Sequence, residues 1–419
     1  MLKAIKIRLY PNKTQEEYIG KLLGSYRYVY NNCLDKKIKS YEKDKSSESL
    51  TTLGKYLHNV LLKDEDIKWL KEHNTKVLKQ SIINMLEAYK HFFKSGSGYP
   101  KFKSKHDSKL SCRFPLEAIS NRNDYSTNKL TITSNIKEIK FKCSKDYKDI
   151  LVMYKSGIKS GTLSKTKSGK YFLSMLMEIP NTKQLKKTNN IVGIDLGIKD
   201  FVITSDGEIF DNIKIKRNNQ YKLSKLHGEL SRKKKGSNNR NKSKIKLVKL
   251  YEKLNNKKEN YLHYVSNSLL NENQVIVMED LNVKGMMKNH CLARSIQELS
   301  LNKFKEIIKY KAEWYNRDVI EVDRFFPSSK NCNNCGNKKN DLKLSDRIYK
   351  CVPCGYENDR DLNAALNILD EGLRIMNNKM DESLDSHIKI PTRSGELTPL
   401  ESSGYTLGEL GNKNLVNFS

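Results

Sequence analysis

Two pairs of cysteines constrain the fold of this chain more than any other feature. Each pair has two residues between its cysteines, and fifteen residues separate the pairs. The four residues are Cys332, Cys335, Cys351 and Cys354. Two such turns can close a tetrahedral site with metal–sulfur distances of roughly 2.3 Å. Gly336 and Gly355 follow the pairs and allow the left-handed turn that each needs. The pattern therefore predicts one structural zinc ion, with no open position for catalysis.

The composition excludes several classes of protein. The chain has 419 residues, of which 37 % are hydrophobic and 9 % aromatic, and that is too aromatic for a disordered chain. The length predicts several domains, each with a core of its own. There is no long apolar run, so we expect no membrane span and no signal peptide. Eight cysteines are too few for a disulfide scaffold, and they favour a cytoplasmic protein.

The charge predicts a nucleic-acid partner. The chain carries 78 Lys and Arg against 48 Asp and Glu, a net charge of +30. Such a charge repels itself unless a polyanion neutralises it. Residues 214–250 contain 14 basic residues and one acid, Glu229, and they are predicted to form two helices around a basic turn. The turn contains Arg232, Lys233, Lys234 and Lys235. We expect this hairpin to face phosphates, the alternative being a solvated surface.

A second basic segment alternates with aromatic residues. It lies within 94–105, after a glycine–serine turn. Its predicted contacts are Tyr99, Lys101, Phe102, Lys103 and Lys105. This alternation suits contact with a nucleic-acid backbone combined with base stacking. A solvated loop is the alternative.

The secondary structure changes character along the chain. Residues 1–10 alternate as a strand does, and helical periodicity follows up to about residue 93. Short strands are then predicted at Leu130–Thr133, Ile136–Phe141, Ile150–Met153, Ile158–Leu163 and Tyr171–Ile179. They indicate a small β-barrel or sandwich. A helix is predicted at Leu301–Tyr315, and a disordered tail after Leu369.

Three acids stand in positions that suit a metal site. Asp195 lies near the end of a buried strand, Glu279 follows another, and Asp361 opens a helix. A buried carboxylate is unfavourable unless it is paired or bound to metal, and three together suit hard divalent cations. Singly, each acid has another explanation: Asp361 or Asp359 could cap the helix, and Asp280 could replace Glu279. The set of three predicts metal-dependent catalysis.

These motifs together resemble the TnpB family of transposon-encoded proteins, which are relatives of the type V CRISPR effectors. The resemblance rests on GIDLG, VMEDL, FPSSKNCNNCG, a second CxxCG and DRDLNAALNIL, and also on LYPNKTQEE and GYPKFKSK. It covers roughly residues 1–370. One departure is Asn358, which stands where many members have His.

The resemblance implies a multidomain α+β protein. An N-terminal β-barrel (1–10 and 105–185) would hold a helical recognition insertion (11–104). A RuvC-like nuclease of the RNase H fold (190–325 and 356–370), with a basic helical hairpin (214–270), would be interrupted by a zinc ribbon (326–355). Residues 371–419 are predicted to be a disordered tail.

The resemblance also implies an activity. Asp195, Glu279 and Asp361 would bind Mg²⁺ or Mn²⁺ and cleave DNA, and Lys330 is a further predicted nucleic-acid contact. The partners would be a non-coding, transposon-derived guide RNA and double-stranded target DNA, in the nucleoid of a prokaryotic cell.

Two alternatives remain. A strand-transfer transposase would usually order its acids Asp, Asp, Glu, whereas the order here is Asp, Glu, Asp. A nuclease-inactive RNA-guided repressor would have lost one of the acids.

Overall fold

A computed structural model describes residues 1–105, 110–119, 123–180, 185–343 and 346–382. The chain divides into two compact units, Met1–Asn181 with Arg232–Lys249 and Thr182–Ser231 with Leu250–Ser419. Within the described ranges, no helix combines the length and the apolar character required to cross a membrane.

The first unit contains a six-stranded antiparallel sheet. Its strands are β1 (Leu2–Tyr10), β2 (Leu110–Pro115), β3 (Lys129–Leu130), β4 (Ile139–Lys142), β5 (Ile158–Lys165) and β6 (Tyr171–Glu178), in the order β2-β5-β6-β1-β4-β3. β1 pairs with β6 over nearly its whole length, from Leu2 opposite Glu178 to Leu9 opposite Tyr171. Strand β1 therefore joins strands that follow it by more than a hundred residues. No pairing between β2 and β3 occurs among the described residues, so a closed barrel remains a prediction.

Helices lie between β1 and β2 in sequence. They are α1 (Lys13–Asp44), α2 (Leu50–Tyr56) and α3 (Thr75–Ser95), with a π-helical turn at Leu57–Leu61 and a 3₁₀ segment at Glu65–Glu72. Their buried stripes form a core of their own, in which Leu34, Leu53 and Ile82 are fully buried. This core follows from apolar residues at helical spacing, as the sequence predicts.

One predicted strand is a helix. The strand prediction at Ile150–Met153 is wrong, because α4 (Lys145–Met153) occupies this segment. Ser144 caps α4 by accepting a hydrogen bond from the backbone N–H of Tyr147. Leu151 is the one fully buried residue of α4. A strand here would need a continuous apolar face to pack against its neighbours, whereas a capped helix needs only this one buried side chain.

The second unit is built around a five-stranded mixed sheet. Its strands are β7 (Ile191–Asp195), β8 (Asp200–Thr204), β9 (Ile209–Asp211), β10 (Val275–Glu279) and β11 (Asp318–Val322), in the order β11-β10-β7-β8-β9. β10 runs parallel to β7 and β11, whereas β8 is antiparallel to β7 and β9. A two-stranded antiparallel sheet, β12 (Ile348–Lys350) with β13 (Glu357–Asp359), carries the second cysteine pair between its strands.

The remaining helices follow the strands. They are α5 (Ile215–Asn218), α6 (Gln220–Ser231), α7 (Asn238–Glu272), α8 (Val283–Met286), α9 (His290–Leu299), α10 (Leu301–Tyr315) and α11 (Arg360–Glu382). α6 and α7 form the predicted hairpin, in which His227 and Tyr251 lie 2.9 Å apart.

The last helix is longer than the sequence indicates. α11 ends at Glu382, so the predicted domain end at residue 370 and the disordered tail are wrong for residues 371–382. Ile368, Ile375 and Met376 of α11 cluster with Val275 and Val277 of β10, which gives the helix an apolar face to bury. The rest of the predicted tail, 383–419, lies outside the described residues.

Candidate metal sites

The two cysteine turns have matching backbone geometry. The N–H of Gly336 donates to the carbonyl of Cys332 at 2.8 Å, and the N–H of Gly355 donates to the carbonyl of Cys351 at 3.0 Å. Both glycines have a φ of 72°, a conformation that other residues adopt at a penalty. Each turn therefore presents its two thiols on one side, as a metal knuckle requires.

The thiols fit one tetrahedral ion. Their sulfur atoms all lie within 4.8 Å of one another, and the pairs Cys332–Cys354 and Cys335–Cys351 are each 3.6 Å apart. Four bonds of roughly 2.3 Å in a tetrahedron require sulfurs about 3.8 Å apart. The backbone N–H of Tyr356 lowers the pKa of Cys354, whereas burial and the neighbouring thiols raise the pKa of Cys335 and Cys351. A bound cation would favour the thiolate form of all four. These four cysteines can hold a structural metal ion.

Two of the three predicted acids share one edge of the five-stranded sheet. Asp195 is the last residue of β7, and Glu279 is the last residue of β10. The strands are parallel neighbours, with Ile194 opposite Met278. Because adjacent parallel strands end at the same edge of a sheet, the two acids lie side by side at that edge.

Glycine brings the third acid to that edge. A Cβ atom on Gly193 of β7 would lie 2.3 Å from the carbonyl oxygen of Ala365 in α11. Only glycine therefore lets α11 lie this close to β7. Asp361 stands one helical turn before Ala365, at the start of α11. The close contact holds this turn beside the strand that carries Asp195.

The acids near the start of α11 have separate roles. Oδ1 of Asp359 accepts hydrogen bonds from the backbone N–H of Asp361 at 2.8 Å and of Leu362 at 3.2 Å, so Asp359 caps the helix. The carboxylate of Asp361 instead accepts from the guanidinium of Arg360, at 2.9 Å from Nε and 2.7 Å from Nη2. The capping explanation is thus right for Asp359 and wrong for Asp361.

The acid next to Glu279 is committed elsewhere. Asp280 accepts from Nζ of Lys305 at 3.0 Å and is also paired with Arg324. Both hydrogen bonds lower the pKa of Asp280. Glu279 instead accepts a hydrogen bond from the hydroxyl of Ser328. Glu279 shares a cavity with Asp195 and Asp361, and Asp280 does not line that cavity.

The three acids line one cavity, of about 710 Å³, in the second unit. Seven basic residues share its lining: Lys199, Lys214, Arg217, Lys330, Lys343, Arg347 and Arg360. The cavity thus brings carboxylates and cationic side chains together. The predicted contact Lys330 lies on the lining of this cavity.

Electrostatics at the acids favour a bound cation. Burial, followed by the charges of Glu279 and Asp361, raises the pKa of Asp195 to about 7. Burial also raises the pKa of Glu279, against the hydrogen bond from Ser328 and the charge of Lys305. A divalent cation would relieve both effects, and carboxylate oxygens are the ligands that Mg²⁺ prefers. Among the described residues, the four cysteines are the one group of possible metal ligands whose ligand atoms all lie within 4.8 Å of one another. The carboxylate oxygens of the three acids are therefore spaced more widely than the cysteine sulfurs.

The predicted nucleic-acid contacts of the hairpin lie in the turn between α6 and α7. The side chains of Arg232, Lys233, Lys234 and Lys235 are all exposed. Gly236 closes the turn with a φ of 85°. The turn therefore presents four adjacent cations to solvent.

The basic–aromatic segment is partly held against the helices. The hydroxyls of Tyr99 and Tyr89 lie 2.7 Å apart, and Nζ of Lys103 lies 3.9 Å from the ring centroid of Tyr30. Phe102 is 55 % exposed, and Lys101 and Lys105 are exposed as well. Tyr99 and Lys103 thus have packing contacts that the sequence did not predict. Tyr99 is still 46 % exposed, so both its ring and that of Phe102 are accessible for stacking.

Sequence reasoning missed two residues at the acids. Ser328, which is 6 % exposed, contacts Glu279, and Arg360 contacts Asp361. Both stand inside motifs that the sequence does display, FPSSK and DRD. The motifs contain no pattern that indicates which side chains Ser328 and Arg360 contact, so the fold is needed to identify their partners.

The chain is similar to known proteins over most of its length. Residues 1–46, which form β1 and α1, match a helix-turn-helix domain of OrfB_IS605 type. Residues 174–290 match a family described as a probable transposase, and 302–368 match the Cas12f1-like TNB domain. A candidate RNA-guided DNA endonuclease of Streptomyces pristinaespiralis is 32 % identical over 371 residues, covering 88 % of this chain and 89 % of that protein. A TnpB-like protein of Methanocaldococcus jannaschii is 31 % identical over 212 residues, covering 46 % of this chain and 73 % of that protein. The chain belongs to the TnpB family.

A second relative and a solved structure are also similar to this TnpB-family chain. InsQ of Escherichia coli, a candidate RNA-guided DNA endonuclease, is 27 % identical over 391 residues, covering 90 % of this chain and 93 % of that protein. The structure of Cas12f1 with sgRNA and target DNA matches with a TM-score of 0.55 at 14 % identity, covering 88 % of this chain and 98 % of that one. The second likeness supports the mixed α+β fold alone.

Proposed function

We propose that this TnpB-family chain is an RNA-guided DNA endonuclease with a RuvC-like site. A guide RNA pairs with target DNA beside a short duplex motif. The cavity at Asp195, Glu279 and Asp361 hydrolyses phosphodiester bonds of that DNA. The protein acts in the nucleoid, where its substrate is.

One observation carries this proposal. The three acids come from distant parts of the sequence and line one cavity together with seven basic residues. Carboxylates attract divalent cations, and basic side chains attract the phosphates that those cations would act on. The strand order β9-β8-β7-β10-β11, with β8 antiparallel, supports a nuclease of the RNase H fold.

The chemistry divides between metal and protein. Mg²⁺ or Mn²⁺ held by the three carboxylates would activate water and stabilise the leaving oxygen. Lys330 and Arg347, on the lining of the cavity, bind and orient the phosphate backbone. Arg360 holds Asp361, and Ser328 holds Glu279. The four cysteines bind one zinc ion that stabilises the fold and takes no part in the reaction.

The guide RNA is proposed from the relatives. Two proteins matched over nearly their whole length are candidate RNA-guided DNA endonucleases. The net charge of +30 and the exposed turn at Arg232–Lys235 provide positive surface for a long RNA.

The test begins with the RNA that co-purifies with the protein. Its sequence identifies the guide, and a labelled duplex that matches the guide is then incubated with the complex and Mg²⁺. We expect cleavage to ends with free 3′-hydroxyls, and no cleavage by Asp195→Ala. Products joined to a second DNA would instead establish a strand-transfer transposase. Binding without cleavage by wild type in Mg²⁺ or Mn²⁺ would establish the repressor alternative.

A further inference from the structure

The loop that leads to the first cysteine pair touches the acid site. It runs from the end of β11 to Cys332 and contains Ser328. The Ser328 side chain, 6 % exposed, donates its hydroxyl hydrogen to Oε1 of Glu279. A residue four positions before a zinc ligand therefore holds one of the three carboxylates.

The helix that carries Asp361 holds the same loop. Nδ2 of Asn367 donates to the carbonyl of Ser328 at 2.6 Å and to that of Asn331 at 2.8 Å. Its Oδ1 accepts from Nδ2 of Asn333 at 3.1 Å. One turn earlier in α11, Asn363 donates to the carbonyl of Asn331 at 2.8 Å and accepts from the N–H of Asn333 at 3.1 Å. Two asparagines thus clamp the residues on both sides of Cys332.

Burial makes this clamp specific. Asn363 is 0 % exposed and Asn367 is 6 % exposed. A buried amide is unfavourable unless its donors and acceptor are satisfied, and here the loop backbone satisfies them. A displaced loop would leave both amides without partners. The loop therefore has one well-defined position on α11.

We propose that Ser328, Asn363 and Asn367 are positioning residues that couple the cysteine site to the carboxylate site. The proposal rests on the nuclease function proposed above. A metal ion at the cysteines fixes the turn at Cys332, the asparagines fix that turn on α11, and Ser328 thereby holds Glu279 in place relative to Asp361. Zinc thus supports catalysis through three hydrogen-bonded residues, without touching the substrate. Residues behind metal ligands commonly change metal affinity in this way.

The first test changes the serine. Ser328→Ala removes the hydroxyl and leaves the backbone contacts, and Ser328→Thr retains a hydroxyl. In the RNA-bound complex, we expect Ser328→Ala to raise the Mg²⁺ concentration for half-maximal cleavage about tenfold, and Ser328→Thr to restore part of the loss. Mn²⁺ binding, followed by electron paramagnetic resonance, should weaken in parallel. An unchanged Mg²⁺ dependence and Mn²⁺ affinity in Ser328→Ala would overturn the proposal.

The second test changes the clamp. Asn367→Ser shortens the side chain and removes the hydrogen bonds to the loop, and Asn333→Ala is a milder variant that spares both carbonyl contacts of Asn367. We expect Asn367→Ser both to release zinc faster to a chromogenic chelator and to weaken Mn²⁺ binding. If Asn367→Ser and Asn333→Ala release zinc faster but bind Mn²⁺ as wild type does, the asparagines stabilise only the cysteine site, and the proposed coupling is wrong. Metal binding is measured without cleavage, so a wild-type complex that binds Mn²⁺ but cuts no DNA would contradict the nuclease function and leave the coupling standing.

Discussion

At the scale of single residues, neighbouring acids with the same chemistry have different surroundings. Asp359 caps α11 through two backbone hydrogen bonds, whereas Asp361 faces the cavity beside Arg360. Asp280 is paired with two cations, whereas Glu279 is half-buried and held by Ser328. In each pair, the two acids are close in sequence but have different hydrogen-bond partners. One acid of each pair can therefore serve as the control when the other is mutated.

The first prediction separates Asp361 from Asp359. Asp361→Ala removes a proposed metal ligand, so cleavage should fall by several orders of magnitude. Asp359→Ala removes a helix cap, which costs about 1 kcal/mol of stability and leaves the ligands in place. Cleavage of a labelled target in Mg²⁺ and binding of that target in Ca²⁺ distinguish the two effects. Normal cleavage by Asp361→Ala beside an inactive Asp359→Ala would show that the third ligand is Asp359.

The second prediction concerns pH. The pKa of Asp195 rises from its ordinary 3.8 to about 7. Between these values the folded protein binds a proton that the unfolded chain does not, so this residue lowers stability increasingly as the pH rises towards 7. Without added Mg²⁺, Asp195→Asn should therefore raise the Tm more at pH 8 than at pH 6. An equal change at both pH values would contradict the raised pKa.

Asp280→Asn is the control of opposite sign. Lys305 and Arg324 lower the pKa of Asp280, so its contribution to stability is present above the ordinary pKa and is lost as the pH falls through the lowered value. This variant should lower the Tm at both pH 6 and pH 8.

At the scale of elements, the sequence predicts the strands and helices whose burial is uniform. β7 and β10 read as apolar runs because both faces are buried, and α10 occupies the predicted Leu301–Tyr315. The strand predicted within α4 and the disorder predicted over the end of α11 were wrong for a shared reason. α4 is set by a cap and a single buried leucine, and the end of α11 is set by contacts with β10. Both depend on tertiary surroundings that local patterns do not contain.

The third prediction tests the contact between α11 and β7. Gly193→Ala places a Cβ 2.3 Å from the carbonyl of Ala365, so α11 must move or the strand must bend. We expect a loss of about 1–3 kcal/mol in the free energy of unfolding by urea, with a fall in cleavage because Asp361 moves with the helix.

Gly228→Ala in α6 is the matched control. No atom lies within 4 Å of the Cβ position there, so alanine should leave stability unchanged or raise it by about 1 kcal/mol. Equal unfolding energies for wild type and Gly193→Ala would show that the sheet and helix tolerate separation.

The fourth prediction concerns the zinc ribbon. Protein purified without added zinc should contain about one equivalent, because four preformed thiols bind it tightly. Cys351→Ser should lower this content and destabilise the β12–β13 hairpin, whereas Cys291→Ser, at an exposed cysteine outside the cluster, should change neither. Metal analysis by mass spectrometry decides. A folded, active preparation without zinc would refute the site.

At the scale of the whole molecule, the three acids and part of the excess positive charge lie in one cavity. Asp195, Glu279 and Asp361 come from three separated segments of the chain. Of the basic residues around them, Lys199 and Arg360 share those segments, and the other five come from elsewhere in the chain. No segment alone contains the site, which is why the sequence supports the triad only as a set. The lining of the cavity and the exposed turn of the hairpin each carry part of the excess positive charge. Substitutions at the acids and in the turn therefore test catalysis and RNA binding separately.

The last prediction tests the charge of the hairpin. Lys233, Lys234 and Lys235 stand exposed in one turn, far in sequence from the acids. Replacing all three with Gln should weaken RNA binding across sequences. It should also reduce the slope of log K against log salt by up to about three, since each phosphate contact releases roughly one counterion. Filter binding at several salt concentrations measures this slope.

Lys39→Gln and Lys68→Gln are the controls for that measurement, because their amines already pair with Asp35 at 2.8 Å and Glu65 at 2.5 Å. A lysine whose counter-charge is a carboxylate releases no ion when RNA binds, so these variants should leave the slope nearly unchanged. If the triple variant retains the wild-type slope as well, the turn contacts only solvent, and the RNA is held by the other basic surfaces of the chain.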